Sequence, residues 1–279
     1  MARYPAWAVF VLTAALVAGC EPAKELPTDV PKSDGATTLQ QLLPVKSEPE
    51  AKDVIDRAVK SLTGGKPEML AKLKASRCVL KGQSFENPEL PTEVTRTVAA
   101  VWPDRLYAMD DRQALNTKNI VEAWLRRPDM SISANGVPQP HANPAEREHI
   151  FASDEVAQHW LALLLPASDP KAVVFDHESI EFERRVLNLV KVSLADYPVY
   201  QLTFDGKTDA LVRVEYTVSE FGVARRTKVT YSSYKPGPNG LMLPHLYECW
   251  HNGTVVEKLA IEKWEFPAEI KDEEFSPKK

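Results

Sequence analysis

Ala210-Leu211-Val212-Arg213-Val214-Glu215-Tyr216-Thr217-Val218 alternates with a period of two. Ala210, Val212, Val214, Tyr216 and Val218 fall on one face, and Leu211, Arg213, Glu215 and Thr217 on the other. Successive side chains of a strand point to opposite faces, so this stretch reads as a β-strand with one apolar and one mostly polar face. Leu187–Leu194, Val199–Phe204, Val223–Tyr234, Met242–Trp250 and Val255–Phe266 read the same way around it. Asp205-Gly206, Asn239-Gly240 and Asn252-Gly253 between them are strong turn dipeptides. Consecutive antiparallel strands with one apolar face must curl and cover that face.

Upstream, Ser76–Phe85, Val94–Trp102, Arg105–Asp110, Ile120–Leu125 and Met130–Ala134 read as further strands. Val54, Ile55, Ala58, Val59 and Leu62 fall at helical spacing before the stop Gly64-Gly65, and Pro67 suits the first turn of a short second helix. Glu146 to Leu165 reads as one long helix ended by Pro166 and Pro170, with Trp160 and Leu164 on or near its apolar side. This helix is the available cover. The expected fold is α+β: a strongly curved antiparallel meander with helices packed in its concave face.

The N-terminus carries an address. Ala6 to Ala18 is a 13-residue apolar run preceded by Arg3. It suits a signal peptide and falls short of the roughly 20 residues that span a bilayer. Val17-Ala18-Gly19-Cys20 resembles the lipobox of bacterial lipoproteins. The resemblance implies diacylglyceryl attachment at Cys20 after cleavage of a 1–19 signal peptide. Residues 20–50, with Pro22, Pro27, Pro31, Pro44 and Pro49 among polar residues, read as a flexible lipid-anchored tether. Residues 51–279 are then the folded domain, soluble and held at a membrane by lipid alone, since no second apolar stretch reaches spanning length.

The chain of 279 residues has 34 Lys+Arg against 39 Asp+Glu, and the signal peptide removes only Arg3 from this balance. A mildly acidic chain argues against nucleic-acid binding. Cys78 and Cys249 would meet an oxidising compartment after export, where they either form a disulfide or remain two small buried thiols. The six histidines form no metal-ligand spacing, and there is no Gly-x-Ser-x-Gly elbow, phosphate loop or dinucleotide fingerprint. Asp176-His177-Glu178 lies in a charged stretch and reads as a solvated edge. No enzyme, metal or cofactor is expected.

The order of parts resembles a known family. A helix, Gly64-Gly65 and a short helix with Leu70-Ala71-Lys72-Leu73-Lys74-Ala75 resemble the start of lipoprotein-sorting-type (LolA/LolB-like) proteins of planctomycete-like bacteria. Thr230-Tyr231-Ser232-Ser233-Tyr234-Lys235, Gly240-Leu241-Met242-Leu243-Pro244, the Asn252-Gly253 hairpin and Ile270-Lys271-Asp272-Glu273-Glu274-Phe275 resemble their close. The match runs from about Val54 to Phe275. It implies an incomplete β-barrel, a half-open cup plugged by helices, which in the carriers holds acyl chains. It also implies a basic residue that latches a lid, without assigning it among Arg77, Arg96 and Arg105.

The expected cavity lining follows from the apolar faces: Val98, Ala100 and Trp102; Val212, Val214 and Tyr216; Leu259 and Ile261; and Trp160 and Leu164 from the plug. The functional expectation is an exported, lipid-anchored, non-enzymatic protein of the bacterial cell envelope, facing the periplasm. It would bind a lipid or lipoprotein acyl chain, in lipoprotein sorting or envelope lipid handling. The alternative is an envelope sensor or scaffold whose filled cup binds a protein partner.

Overall fold

The structure is a computed structural model that describes residues 46–277 except 115, 116 and 142. The expected signal peptide, Cys20 and most of the tether lie outside the described residues. Helix α1, Pro49–Leu62, begins with proline at its first turn and buries Ala51, Val54, Ile55, Ala58, Val59 and Leu62 on one face. Its end carries Gly64 and Gly65 at φ +59° and +84°, where a side chain would be strained. Before it, the Glu48 amide donates to Val174 O at 2.9 Å, so the folded body begins a few residues ahead of Ala51.

The strands follow in chain order. They are β1 Ala75–Ser84, β2 Thr92–Val101, β3 Arg105–Ala114, β4 Thr117–Arg126, β5 Asp129–Ala134 and β6 Val137–Pro138. After helix α2, Pro144–Glu155, come β7 Val173–Phe182, β8 Arg185–Ser193, β9 Tyr200–Asp205, β10 Leu211–Glu220 and β11 Val223–Ser232. β12 Lys235–Pro236 and β13 Met242–Leu243 form a separate small ladder, and β14 Leu246–His251 and β15 Thr254–Glu265 complete the set. One open antiparallel sheet of 13 strands runs β6-β5-β4-β3-β2-β1-β15-β14-β11-β10-β9-β8-β7. It is the expected curved, incomplete barrel, and a single large core fills its middle.

Three local readings change. Glu146–Leu165 is not one helix: α2 ends at Glu155, Val156–Trp160 is a π turn closed by Leu161 N→Val156 O at 2.9 Å, and Leu164 has φ +53°. Inward hydroxyls grip this segment, Tyr231 donating to Ala157 O and Tyr200 to Ser153 O. In β10, a bulge between Leu211 and Arg213 reverses the parity of the strand's start. Leu211 is therefore buried with Val214, Tyr216 and Val218, while Val212 is only half-buried. The charged stretch around His177 is part of β7, a strand missing from the sequence reading. It forms one edge of the sheet, where charge opposes pairing with another chain.

Cys78 and Cys249 are free thiols, which decides between the two readings against a disulfide. Register explains it. Cys249 pairs with Glu257, and Glu257 with Ser84, six residues along β1 from Cys78. That is about 20 Å of strand, against the ~7 Å between Cα atoms that a disulfide tolerates.

Candidate functional site

Val98, Ala100, Trp102, Trp160, Val214, Tyr216, Leu259 and Ile261 are all packed in the core, as is Leu164. The rings of Trp102 and Trp160 stack at 6.1 Å, and the Trp102 indole donates to Ser76 Oγ at 3.2 Å. The middle of the cup is thus occupied, and open space lies toward its ends. Leu164 and Val212 line the smaller space, about 540 Å³, with Leu62, Tyr231, Tyr234 and Met242.

The larger cavity, about 600 Å³, lies between α2 and the sheet. Asn143 caps α2 by accepting from the Glu146 amide, and the helix turns Arg147, Phe151, Asp154, Glu155 and, beyond its end, Gln158 toward the cavity. Ala108 from β3, Val121 and Ala123 from β4, and Met130 and Ile132 from β5 make an apolar wall. Arg96 from β2, Glu257 from β15, Cys249 and His251 from β14 and Arg225 from β11 make a polar one. A space of this size with one apolar wall and a few convergent polar groups is what small-molecule sites have.

The polar wall is built around Arg96. Its Nε and Nη2 donate to Asp110 at 2.7 and 2.9 Å, and Nη2 and Nη1 to Glu257 at 2.8 and 3.0 Å. Nη1 also meets Tyr247 Oη at 2.8 Å and Gln158 Oε1 at 3.2 Å. Burial works against the charge on Arg96, but Asp110 and Glu257 outweigh it and hold the guanidinium well above its ordinary pKa. Burial would likewise raise Asp110; Arg96 and then Arg112 overcome it and bring the carboxyl down to about 2. Arg77 and Arg105 do other work. They pair with Glu274 and Asp272 and hold the closing turn, whose Phe275 packs with Ala99 and Ile270. Of the three arginines left open by the resemblance, only Arg96 contacts the plug.

Two cysteine–histidine pairs also come together. Cys249 Sγ lies 3.8 Å from His251 Nε2, and Cys78 Sγ lies 3.8 Å from His159 Nδ1. Cys249 is not armed as a nucleophile. Arg225 Nη1 lies 3.0 Å from the same His251 nitrogen and competes for its lone pair, and burial pushes the Cys249 thiol up. Burial opposes charge on His159, but Cys78 and Glu155 prevail and raise its pKa to about 10, so near neutral pH the ring is already protonated and cannot take up a further proton. Among the described residues, no group of three or more His, Cys, Asp or Glu is arranged to hold a metal. None of the described helices is long and apolar enough to cross a membrane.

Asp110 and Glu257 were missed in the sequence, and Arg96 was left undistinguished from Arg77 and Arg105, although a signal was there. Each occupies an inward position between or beside apolar ones: Val94-Arg96-Val98, Leu106-Ala108-Asp110, Glu257-Leu259-Ile261. Charges on the buried parity of three strands ask for one another.

In three dimensions the chain matches a LolA superfamily protein from Nitrosomonas europaea, with a TM-score of 0.53 over 81% of this chain and 97% of that one. This chain has a LolA-type fold. The two sequences are only 11% identical, so the likeness is one of architecture. A domain from Vibrio parahaemolyticus described as an outer membrane lipoprotein-sorting protein matches over 81% of this chain and 96% of that one, with 9% identity and a TM-score of 0.48. No sequence-family profile matches the chain, and no curated protein matches it in sequence.

Proposed function

We propose that this LolA-type protein is a non-enzymatic binder that holds a lipid or lipoprotein acyl chain in the cavity under α2. The observation that carries this reading is the apolar wall of Ala108, Val121, Ala123, Met130 and Ile132 facing about 600 Å³ of open space. Each buried CH₂ contributes about 0.8 kcal/mol, so an alkyl chain laid along that wall is held by transfer from water, without bond making. The site differs from the lining expected from the sequence, because most of those residues pack in the middle of the cup, and the two that border open space, Leu164 and Val212, line the smaller one. Export and attachment through Cys20 would place the protein in the bacterial envelope, as a receptor-like or holding protein in lipoprotein sorting or lipid handling.

A second reading has its own support: the core behind the plug is packed, as a sensor or scaffold with a protein partner would need. Purification without detergent followed by lipid extraction and mass spectrometry separates the two. Stoichiometric lipid supports the binder. Protein free of lipid that also fails to take up added acyl chains overturns it and leaves the sensor.

A further inference from the structure

The two cavities lie at opposite ends of β10. Phe221, at the β10–β11 turn, borders the larger, and Asp205, Thr208 and Ala210 of the β9–β10 turn border the smaller. The ten residues of β10 put about 33 Å between those turns. Among the described residues none lines both spaces, and the stack of Trp102 on Trp160 fills the middle. The smaller cavity is a separate space.

Its wall is mostly apolar. Leu62 from α1, Leu164 from the plug, Leu211 and Val212 from β10, Tyr234 and Met242 face about 540 Å³. The hydroxyl protons around it are committed within the protein. Tyr231 donates to Ala157 O, Tyr234 to Leu211 O, Ser61 to Thr208 O at 2.8 Å, and Thr208 to Asp205 Oδ1 at 3.1 Å. The charges are matched as well. Asp205 accepts from Arg185 and from the amides of Lys207 and Thr208, and Asp209 from Arg57 Nε at 3.2 Å. Ser232 stands exposed at the rim. An ionised head would find no uncompensated counter-charge among these residues and would give up hydration. An alkyl chain gains by leaving water and asks for no polar partner.

We propose that the smaller cavity is a second ligand site, for an uncharged single-chain amphiphile whose hydroxyl head stays at the Ser232 rim. Its volume is that of a small-molecule pocket. The site stands apart from the reading of the larger cavity, and either can fail without the other.

Two methionines make the test specific to each space. Met130 lines the larger cavity and Met242 the smaller. NMR of the purified chain with methyl-labelled methionine, assigned through Met130→Leu and Met242→Leu, follows both signals. The titrants are decanol, decanoate and decylamine, below their micelle concentrations. Decanol is expected to shift and saturate the Met242 signal, with decanoate and decylamine about tenfold weaker there. Val212→Phe adds volume to the lining of the smaller space. It should weaken decanol about tenfold at Met242 and leave the Met130 titration unchanged.

A Met242 signal that stays still while Met130 responds overturns the second site and keeps the alkyl-chain reading of the larger cavity. A response at Met242 with Met130 silent does the reverse. Silence at both removes both proposals. Decanoate or decylamine as tight as decanol at Met242 overturns the uncharged class. The wild-type titrations decide this even if Val212→Phe does not fold. An unchanged decanol affinity at Met242 in folded Val212→Phe also overturns the site.

Discussion

The guanidinium of Arg96 reaches across β1 to the carboxylate of Glu257, through two hydrogen bonds of 2.8 and 3.0 Å, and so ties two strands that do not pair with each other. The same group holds Asp110 on β3. Removing one partner from a buried ion pair leaves an uncompensated charge, at a cost of about 3–5 kcal/mol. Arg96→Met is therefore expected to lower unfolding free energy by that amount in urea titrations. The triple replacement Arg96→Met, Asp110→Asn, Glu257→Gln should recover most of the loss. A single substitution costing less than about 1 kcal/mol would contradict the brace.

Acid should weaken the fold through the same cluster. Asp110 has its pKa lowered from 3.8 to about 2. A depressed carboxylate contributes stability that is complete above its unfolded value and disappears as pH falls through the folded one. The contribution is about 2 kcal/mol, lost between about pH 4 and pH 2. Asp110→Asn should flatten the fall in stability across that window; an unchanged pH profile would sink the assignment.

Cavity and core can be separated by two substitutions. Leu259→Ala, in the packed middle, is expected to lose about 2–5 kcal/mol while lipid carried per folded molecule stays the same. Ala123→Leu projects added volume into the open space and should cut lipid carriage with little change in melting temperature. The reverse pattern would return the site to the lining read from the sequence.

The thiols make a simple chemical prediction. Alkylation followed by peptide mapping should label Cys78 and Cys249 only after unfolding, and both as monomeric peptides. A linked peptide containing both would contradict the strand register.

Gly82 marks the seam between β1 and β15. A Cβ there would lie 2.0 Å from the carbonyl oxygen of Lys258, so Gly82→Ala must push the strands apart. The expected loss exceeds about 1 kcal/mol, and the substitution should speed hydrogen exchange at the amides of both strands.

Much of this architecture was legible because alternation survives in a sheet with one buried face: β1, β2 and β8 to β11 were read nearly to their ends. Errors arose where tertiary contacts override local pattern. The bulge at Val212 shifted which side chains at the start of β10 face inward. The π turn kept helical apolar spacing while changing the backbone. β7 carries too little apolar alternation, as an edge strand can, to stand out from a loop. The site was harder for a different reason. Apolar faces say which side chains turn inward, but not where packing stops, so the open space under α2 had no local sign.

The order of strands also bears on how the chain is made. β1 waits for β15, the last strand to be synthesised, some 170 residues later. Until then β1 to β6, and β7 to β11 with β14, can assemble only as separate hairpin stacks, each with a raw edge, β1 and β14, that belongs in the middle of the finished sheet. Such distant pairing is slow to form. A ribosome stalled before Thr254, or a fragment cut there, would therefore release two sticky halves instead of a smaller working protein.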